Sequence, residues 1–143
     1  MLGRDELAGL IPHQGTMCLL DRVIEWDDGH VVLATATHRA PDNPLRADGR
    51  LRGLHLCEYG AQAMAVHGGL SVRPSRGAAQ SAFLVSLRDV QLHVDFIEEL
   101  PGELQVTAHK LLAGGGSWVY AFEVLHGGRV LAQGRAAAIE LAR

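Results

Sequence analysis

The stretch from Gly53 to His67 is the longest run in this chain that reads as a helix, and it contains no proline. Its side chains are small or apolar nearly all round, the mark of a helix that is buried rather than half exposed. A chain that must hide such a helix has to wrap the rest of itself around it. A polar stripe nevertheless crosses it: His55, Glu58 and Gln62 stand at i, i+3 and i+7 and share one face. A carboxylate on a buried helix is costly unless a partner or a function holds it there. Glu58 is therefore either a structural carboxylate, bound by an arginine or by backbone donors, or a catalytic one.

Around that helix the pattern is mostly β. Arg4 to Leu10 reads as a short first helix, with Asp5 and Glu6 at its positive end and Leu7, Leu10 and Ile11 on one side. Pro12 disfavours helical geometry at Ile11, which leaves His13 in a loop with Gln14, Gly15 and Thr16. Cys18 to Trp26 reads as a strand, Asp27-Asp28-Gly29 as a turn, and Val31 to Thr37 as a second strand. Ala40 to Arg50 is a loop rich in proline, aspartate and glycine. Gly68-Gly69 is expected to end the central helix, and a polar loop from Ser71 to Ala78 follows, carrying Arg73, Pro74 and Arg76.

In the second half Phe83, Val85 and Leu87 alternate, then Val90, Leu92, Val94 and Phe96 alternate in the opposite phase. One strand cannot keep both sets on one face without a bulge near Arg88-Asp89. Pro101-Gly102 has the residue types of a tight turn. Leu104 to Leu112, Trp118 to Leu125 and Arg129 to Leu141 read as strands. Gly114-Gly115-Gly116 and Gly127-Gly128 join them as hairpins, the second through a primed turn.

Helix, two strands, long helix and four strands predict an α+β chain with an antiparallel sheet. Curved around one apolar helix, that sheet is the hot-dog architecture. Its open edges suggest pairing in a dimer. The 143 residues are expected to form one domain, 1–143. A net charge of −3 without a basic run argues against nucleic acid as the main partner. No apolar stretch reaches the roughly 20 residues of a membrane span. The acidic N-terminus does not resemble a signal peptide. Cys18 and Cys57 form no CxxC pair, so a reducing cytoplasm is the expected compartment.

Two blocks resemble a known family. Ile11-Pro12-His13-Gln14-Gly15-Thr16-Met17-Cys18-Leu19-Leu20-Asp21-Arg22-Val23 resembles the "LPHRxPxLLLDRV" segment of 3-hydroxyacyl-(acyl-carrier-protein) dehydratases. Gly53 to Gln62 resembles their helix motif "GxxxxEAxAQ", with the spacing from glycine to glutamate and from glutamate to glutamine kept. The chain departs from that family in the loop before the helix. Its members carry "GHFP" there, and their helix opens on "PG" where this chain has Arg52-Gly53. The forms "PHQGxMCLLD" and "EYxAQAMAVHG" look most like the dehydratases of aryl-polyene and related secondary pathways.

Such a reaction needs a base for the C2 proton, an acid for the departing C3 hydroxyl, and donors for the thioester oxygen. His13, in a loop and neutral near pH 7, suits the base. Glu58, desolvated among Leu54, Ala61 and Ala65, suits the acid. The amides near Gly53 and Leu54, at the helix N-terminus, suit the oxygen. Gln62, one turn beyond Glu58, either orients the carboxylate or makes ordinary core hydrogen bonds. The resemblance implies the same roles for His13 and Glu58, no cofactor, and a substrate carried on the phosphopantetheine of acyl carrier protein. It also implies a dimer in which the histidine and the carboxylate of one site come from opposite protomers.

Other readings of single residues stand beside these. His55 and Glu58 form His-x-x-Glu, as in di-metal bundles. No second long helix is expected to complete such a site, so no metal is expected. Cys57 lies off the stripe and reads as packing rather than as a nucleophile. Arg73, Arg76 and Arg88 suit either a phosphate, an acidic carrier or plain solvent. Two rival functions remain: a hot-dog thioesterase that directs water at the carbonyl, and a subunit that stabilises an active dehydratase partner without turning over itself.

Overall fold

A computed structural model describes residues 2–11, 15–72 and 82–140 of the protein. His13, Arg73 and Arg76 lie outside the described residues. The chain runs through α1 (Arg4–Ala8), β1 (Arg22–Trp26), β2 (His30–Thr35), α2 (Leu56–Val72), β3 (Ala82–Leu92), β4 (Leu104–Gly114), β5 (Ser117–His126) and β6 (Arg129–Glu140). Six antiparallel strands form one curved sheet in the order β1-β2-β4-β5-β6-β3, and α2 packs against β2, β4, β5 and β6. This is the hot-dog fold.

Period-two alternation aims one side of each central strand at the helix. Val31 and Leu33, Leu104, Val106 and Ala108, Tyr120, Phe122 and Val124, and Ala136 and Ala138 are buried there against Leu56, Tyr59, Ala63, Val66 and Leu70. Gly60 lets the helix settle directly on the Phe122 ring, where a Cβ would stand 2.4 Å from Cδ1. At the second hairpin Gly127 and Gly128 have φ of 57° and 82°, as a type I′ turn requires.

Several expected boundaries move. The first helix stops at Ala8, where Gly9 caps it, although Leu7, Leu10 and Ile11 are all buried as their spacing implied. Gly68-Gly69 does not end the long helix, which continues to Val72. Gly69 serves close packing instead: a Cβ there would lie 2.8 Å from the Leu10 carbonyl oxygen. The bulge in β3 falls where the phase change put it, with Asp89 at φ 54° and the register slipping between Arg88 and Gln91. β3 pairs with β6 rather than with the next strand, β4. Pro101-Gly102 therefore lies on a crossover, not in a hairpin.

The largest departure is at Cys18–Asp21, read as the start of a strand. β1 begins only at Arg22. Cys18, Leu19 and Leu20 are all buried, so no face alternates, and side chains rather than a neighbouring strand take up their backbone polar groups. Leu19 N–H donates to Gln62 Oε1 at 2.9 Å, and the Leu19 carbonyl accepts from Thr35 and Thr37 Oγ1 at 2.5 and 2.6 Å. The second strand likewise ends at Thr35, because a 3-10 turn takes over at Thr37.

Candidate active site

Glu58 sits two residues into α2. Before it, Gly53–His55 form a 3-10 turn that His55 closes, its Nδ1 accepting from the Arg52 amide at 3.3 Å. The expected desolvation among Leu54, Ala61 and Ala65 is not complete within one chain. Leu54 is 58% exposed, and Glu58, Ala61 and Ala65 are half-buried. These residues recur at helical spacing along the side of α2 that its own sheet does not cover. Met17, 48% exposed, lies close by, since its carbonyl shares a hydrogen-bond partner with Glu58.

That partner is Gln62, which is only 1% exposed. Its Oε1 accepts from Leu19 N–H at 2.9 Å. Its Nε2 donates to the Met17 carbonyl at 2.8 Å and, through a longer contact of 3.4 Å, to Glu58 Oε2. The two shorter bonds fix which end of the amide is nitrogen. Gln62 thus bonds the core and also presents an N–H to the carboxylate. Oε2 of Glu58 is an acceptor in this arrangement.

The Gly53 amide does not fit its expected part. It donates to the Asp95 carbonyl at 2.8 Å, and a Cβ on Gly53 would lie 2.1 Å from the Val94 carbonyl oxygen. This glycine is needed so that the 94–95 backbone can pass close to the helix start, and its N–H is spent on that contact. The His55 and Leu56 amides also have backbone acceptors within the turn. Leu54 is left as the amide of this turn that a substrate oxygen could use.

Sequence reasoning missed Arg4. Its guanidinium donates to the Gly15, Cys18 and Leu20 carbonyls at 3.0, 2.7 and 3.1 Å and to Asp21 Oδ1 at 3.1 Å. Asp21 Oδ2 in turn accepts from the Ala36 amide at 2.7 Å. The available signal was a cation in the first turn of a helix, the end where the helix dipole disfavours it; such a residue needs outside acceptors. On the far side of α2, Tyr59 Oη meets Thr37 Oγ1 at 2.9 Å and Asn43 Nδ2 at 3.0 Å, which ties the 40–50 loop to the helix.

Burial pushes the Cys57 thiol above its ordinary range, so it is a poor nucleophile. Arg88 faces Arg135 across β3 and β6. Among the described residues no three His, Cys, Asp or Glu side chains gather as metal ligands, and no helix is long and apolar enough to cross a membrane.

A curved sheet around one helix, with a carboxylate near the helix start and a buried glutamine one turn on, defines a protein of the hot-dog class. The chain belongs to the ApeP-like dehydratase family, whose model, described as ApeP dehydratase, matches residues 5–142. Among solved structures it is similar to the dehydratase heterocomplex ApeI:P from Xenorhabdus doucetiae. There the identity is 25%, the TM-score 0.85, and the match covers 96% of this chain and 91% of that one. AziG from S. sahachiroi, at 18% identity and TM-score 0.62, shares the fold over 85% of this chain and 91% of its own. A hypothetical thioesterase from Streptococcus pneumoniae, solved with coenzyme A, shares it at 14% identity and TM-score 0.60, over 85% and 86%. No curated protein sequence matches the chain.

Proposed function

We propose that this dehydratase removes water from a 3-hydroxyacyl thioester carried on acyl carrier protein, giving a trans-2-enoyl thioester. The observation that carries the reading is the Gln62–Glu58 pair, in which a buried amide donates to a half-buried carboxylate near the start of the central helix. Glu58 gives its proton to the C3 hydroxyl, which departs as water. His13 takes the C2 proton, and the electrons of that C–H bond become the C2–C3 double bond. While charge builds on the thioester oxygen, the Leu54 amide is the donor available to it. No step requires a cofactor or metal.

The open side of α2 supports a second subunit. Leu54 and Met17 leave large apolar surface beside a carboxylate that works best away from water. We infer that a second hot-dog chain, either a copy of this one or a related dehydratase, closes over Glu58 and supplies the His13-type loop. The solved relative is itself a heterocomplex of two named components, which agrees with this reading. A cytoplasmic setting follows from the same substrate assignment.

The test is mass spectrometry of a 3-hydroxyacyl carrier protein before and after incubation. Loss of water is expected. Release of free acid would make the protein a thioesterase, and no change over several chain lengths, alone and with a related dehydratase chain, would sink the catalytic reading. Glu58→Gln should lower the rate at least about a hundredfold, the lower end for removal of a positioned acid, with the circular dichroism spectrum unchanged.

A further inference from the structure

We propose that Arg4 is a positioning residue for this reaction, acting on the Glu58 carboxylate through the peptide between Cys18 and Leu19 and through Gln62. The inference rests on the reading of Glu58 as the acid.

The route is continuous. The shortest of the four Arg4 bonds, 2.7 Å, goes to the Cys18 carbonyl oxygen. That oxygen and the Leu19 N–H belong to one peptide unit, which is planar and rigid. The carbonyl points at Arg4, and the N–H points the opposite way, at Gln62 Oε1. The same Gln62 amide donates from its Nε2 to Glu58 Oε2. A turn of the 18–19 peptide is therefore passed to the glutamine and from there to the carboxylate.

The core packs the side chains of Cys18, Leu19 and Leu20, but no strand pairing orients the backbone of this segment. Gly15–Met17 is a single 3-10 turn, and Cys18–Leu20 joins no strand. Its carbonyls are held by Arg4 from α1, Gln62 from α2, and Thr35 and Thr37 from the end of β2. Arg4 takes three of those carbonyls with one planar fork, and bonds from a charged donor are shorter and stronger than neutral ones. Asp21 and the Ala36 amide fix the guanidinium in turn. Without Arg4 the Cys18 carbonyl, in a buried residue, would lose its donor, and the Leu20 carbonyl would keep only the weak Cys18 thiol at 3.6 Å. Polarisation also runs along such a chain, so a cation at one end strengthens the bonds beyond it.

The experiment compares Arg4→Ala and Arg4→Lys with the wild type in steady-state dehydration, each also in the Glu58→Gln background. Displacing a catalytic group by about 1 Å costs up to about a hundredfold. Arg4→Ala should thus lower kcat at least about tenfold, with KM changed less than about threefold. Arg4→Lys, which keeps the charge but loses the fork, should fall between Arg4→Ala and the wild type. In the Glu58→Gln background Arg4→Ala should cost nothing further, since the group it positions is gone. The same loss in both backgrounds, or a rise in KM at unchanged kcat, would overturn the proposal. If Arg4→Ala fails to fold, Arg4→Lys in both backgrounds decides alone. The Gln62 side-chain NH2 resonance gives a readout independent of turnover: it should lose hydrogen-exchange protection in the Arg4 variants. Unchanged protection refutes the relay even in a protein that makes no enoyl product, whereas a wild type without turnover refutes only the assignment of the reaction.

Discussion

Two glycines eight residues apart on α2 should respond oppositely to the same substitution. Replacing a mid-helix glycine by alanine gains up to about 1 kcal/mol of helix propensity. At Gly68 nothing lies within 4 Å of the added Cβ, so Gly68→Ala should keep that gain. At Gly60 the Cβ would stand 2.4, 2.5 and 2.9 Å from Cδ1, Cγ and Cε1 of Phe122. Carbon atoms rest at about 3.5–4.0 Å, so the ring must retreat by about 1 Å. It has nowhere to go: Phe122 is 1% exposed, and on its other side Gly134 packs so closely that a Cβ there would be 3.1 Å from the ring. Overpacking of this kind costs typically about 1–3 kcal/mol, and a ring held from both sides belongs at the upper end. Set against the propensity gain, Gly60→Ala should lose about 2 kcal/mol and Gly68→Ala gain up to about 1. Urea unfolding followed by circular dichroism, at equal protein concentration, measures both. For a chain of this size the Gly60 variant should melt roughly 5–10 °C lower. A Gly60→Ala variant as stable as the wild type would refute the packing argument. A Gly68→Ala variant that loses as much as Gly60→Ala would show that the effect is not specific to the Phe122 contact.

Two further outcomes are expected. Burial holds the His38 and His67 imidazoles below the ordinary histidine range; His67 is fully enclosed, with Nδ1 2.6 Å from Tyr120 Oη and Nε2 2.8 Å from the Asp27 carbonyl. Below about pH 6.5 the unfolded chain takes up protons that the folded one refuses, so stability is fully present above that value and falls as the pH drops toward 5. Urea midpoints measured across this window should show the decline, with a shallower slope in His67→Gln; an equal slope would remove His67 from the account. For a homodimer with composite sites, mixing His13→Ala with Glu58→Gln under subunit exchange should restore about one quarter of the wild-type sites when half the dimers are mixed. Activity that stays at the level of the separate variants despite proven exchange would put both residues in one protomer.

The central helix and the strands were legible in the sequence because their signals are local: unbroken apolar character from Gly53 onward, period-two alternation, and glycine pairs at the hairpins. The phase change between Leu87 and Val90 even located the β3 bulge, since a two-residue repeat cannot change face any other way. Glu58 and Gln62 were legible as a pair because helical spacing puts them on one face. What only the tertiary structure decided was where backbone groups find their partners. Cys18–Leu20 looks like a strand by composition, yet its carbonyls go to Arg4, Thr35 and Thr37 and the Leu19 amide to Gln62, residues up to 43 positions away. The Gly53 amide looked like a donor for substrate until the Asp95 carbonyl was found against it. Gly69 looked like a helix stop until Leu10 was found packed on it. In each case the residue type set what the backbone could do, and contact with a segment distant in the chain set what it does, because a hydrogen bond or a close packing contact depends on distance in space rather than along the sequence.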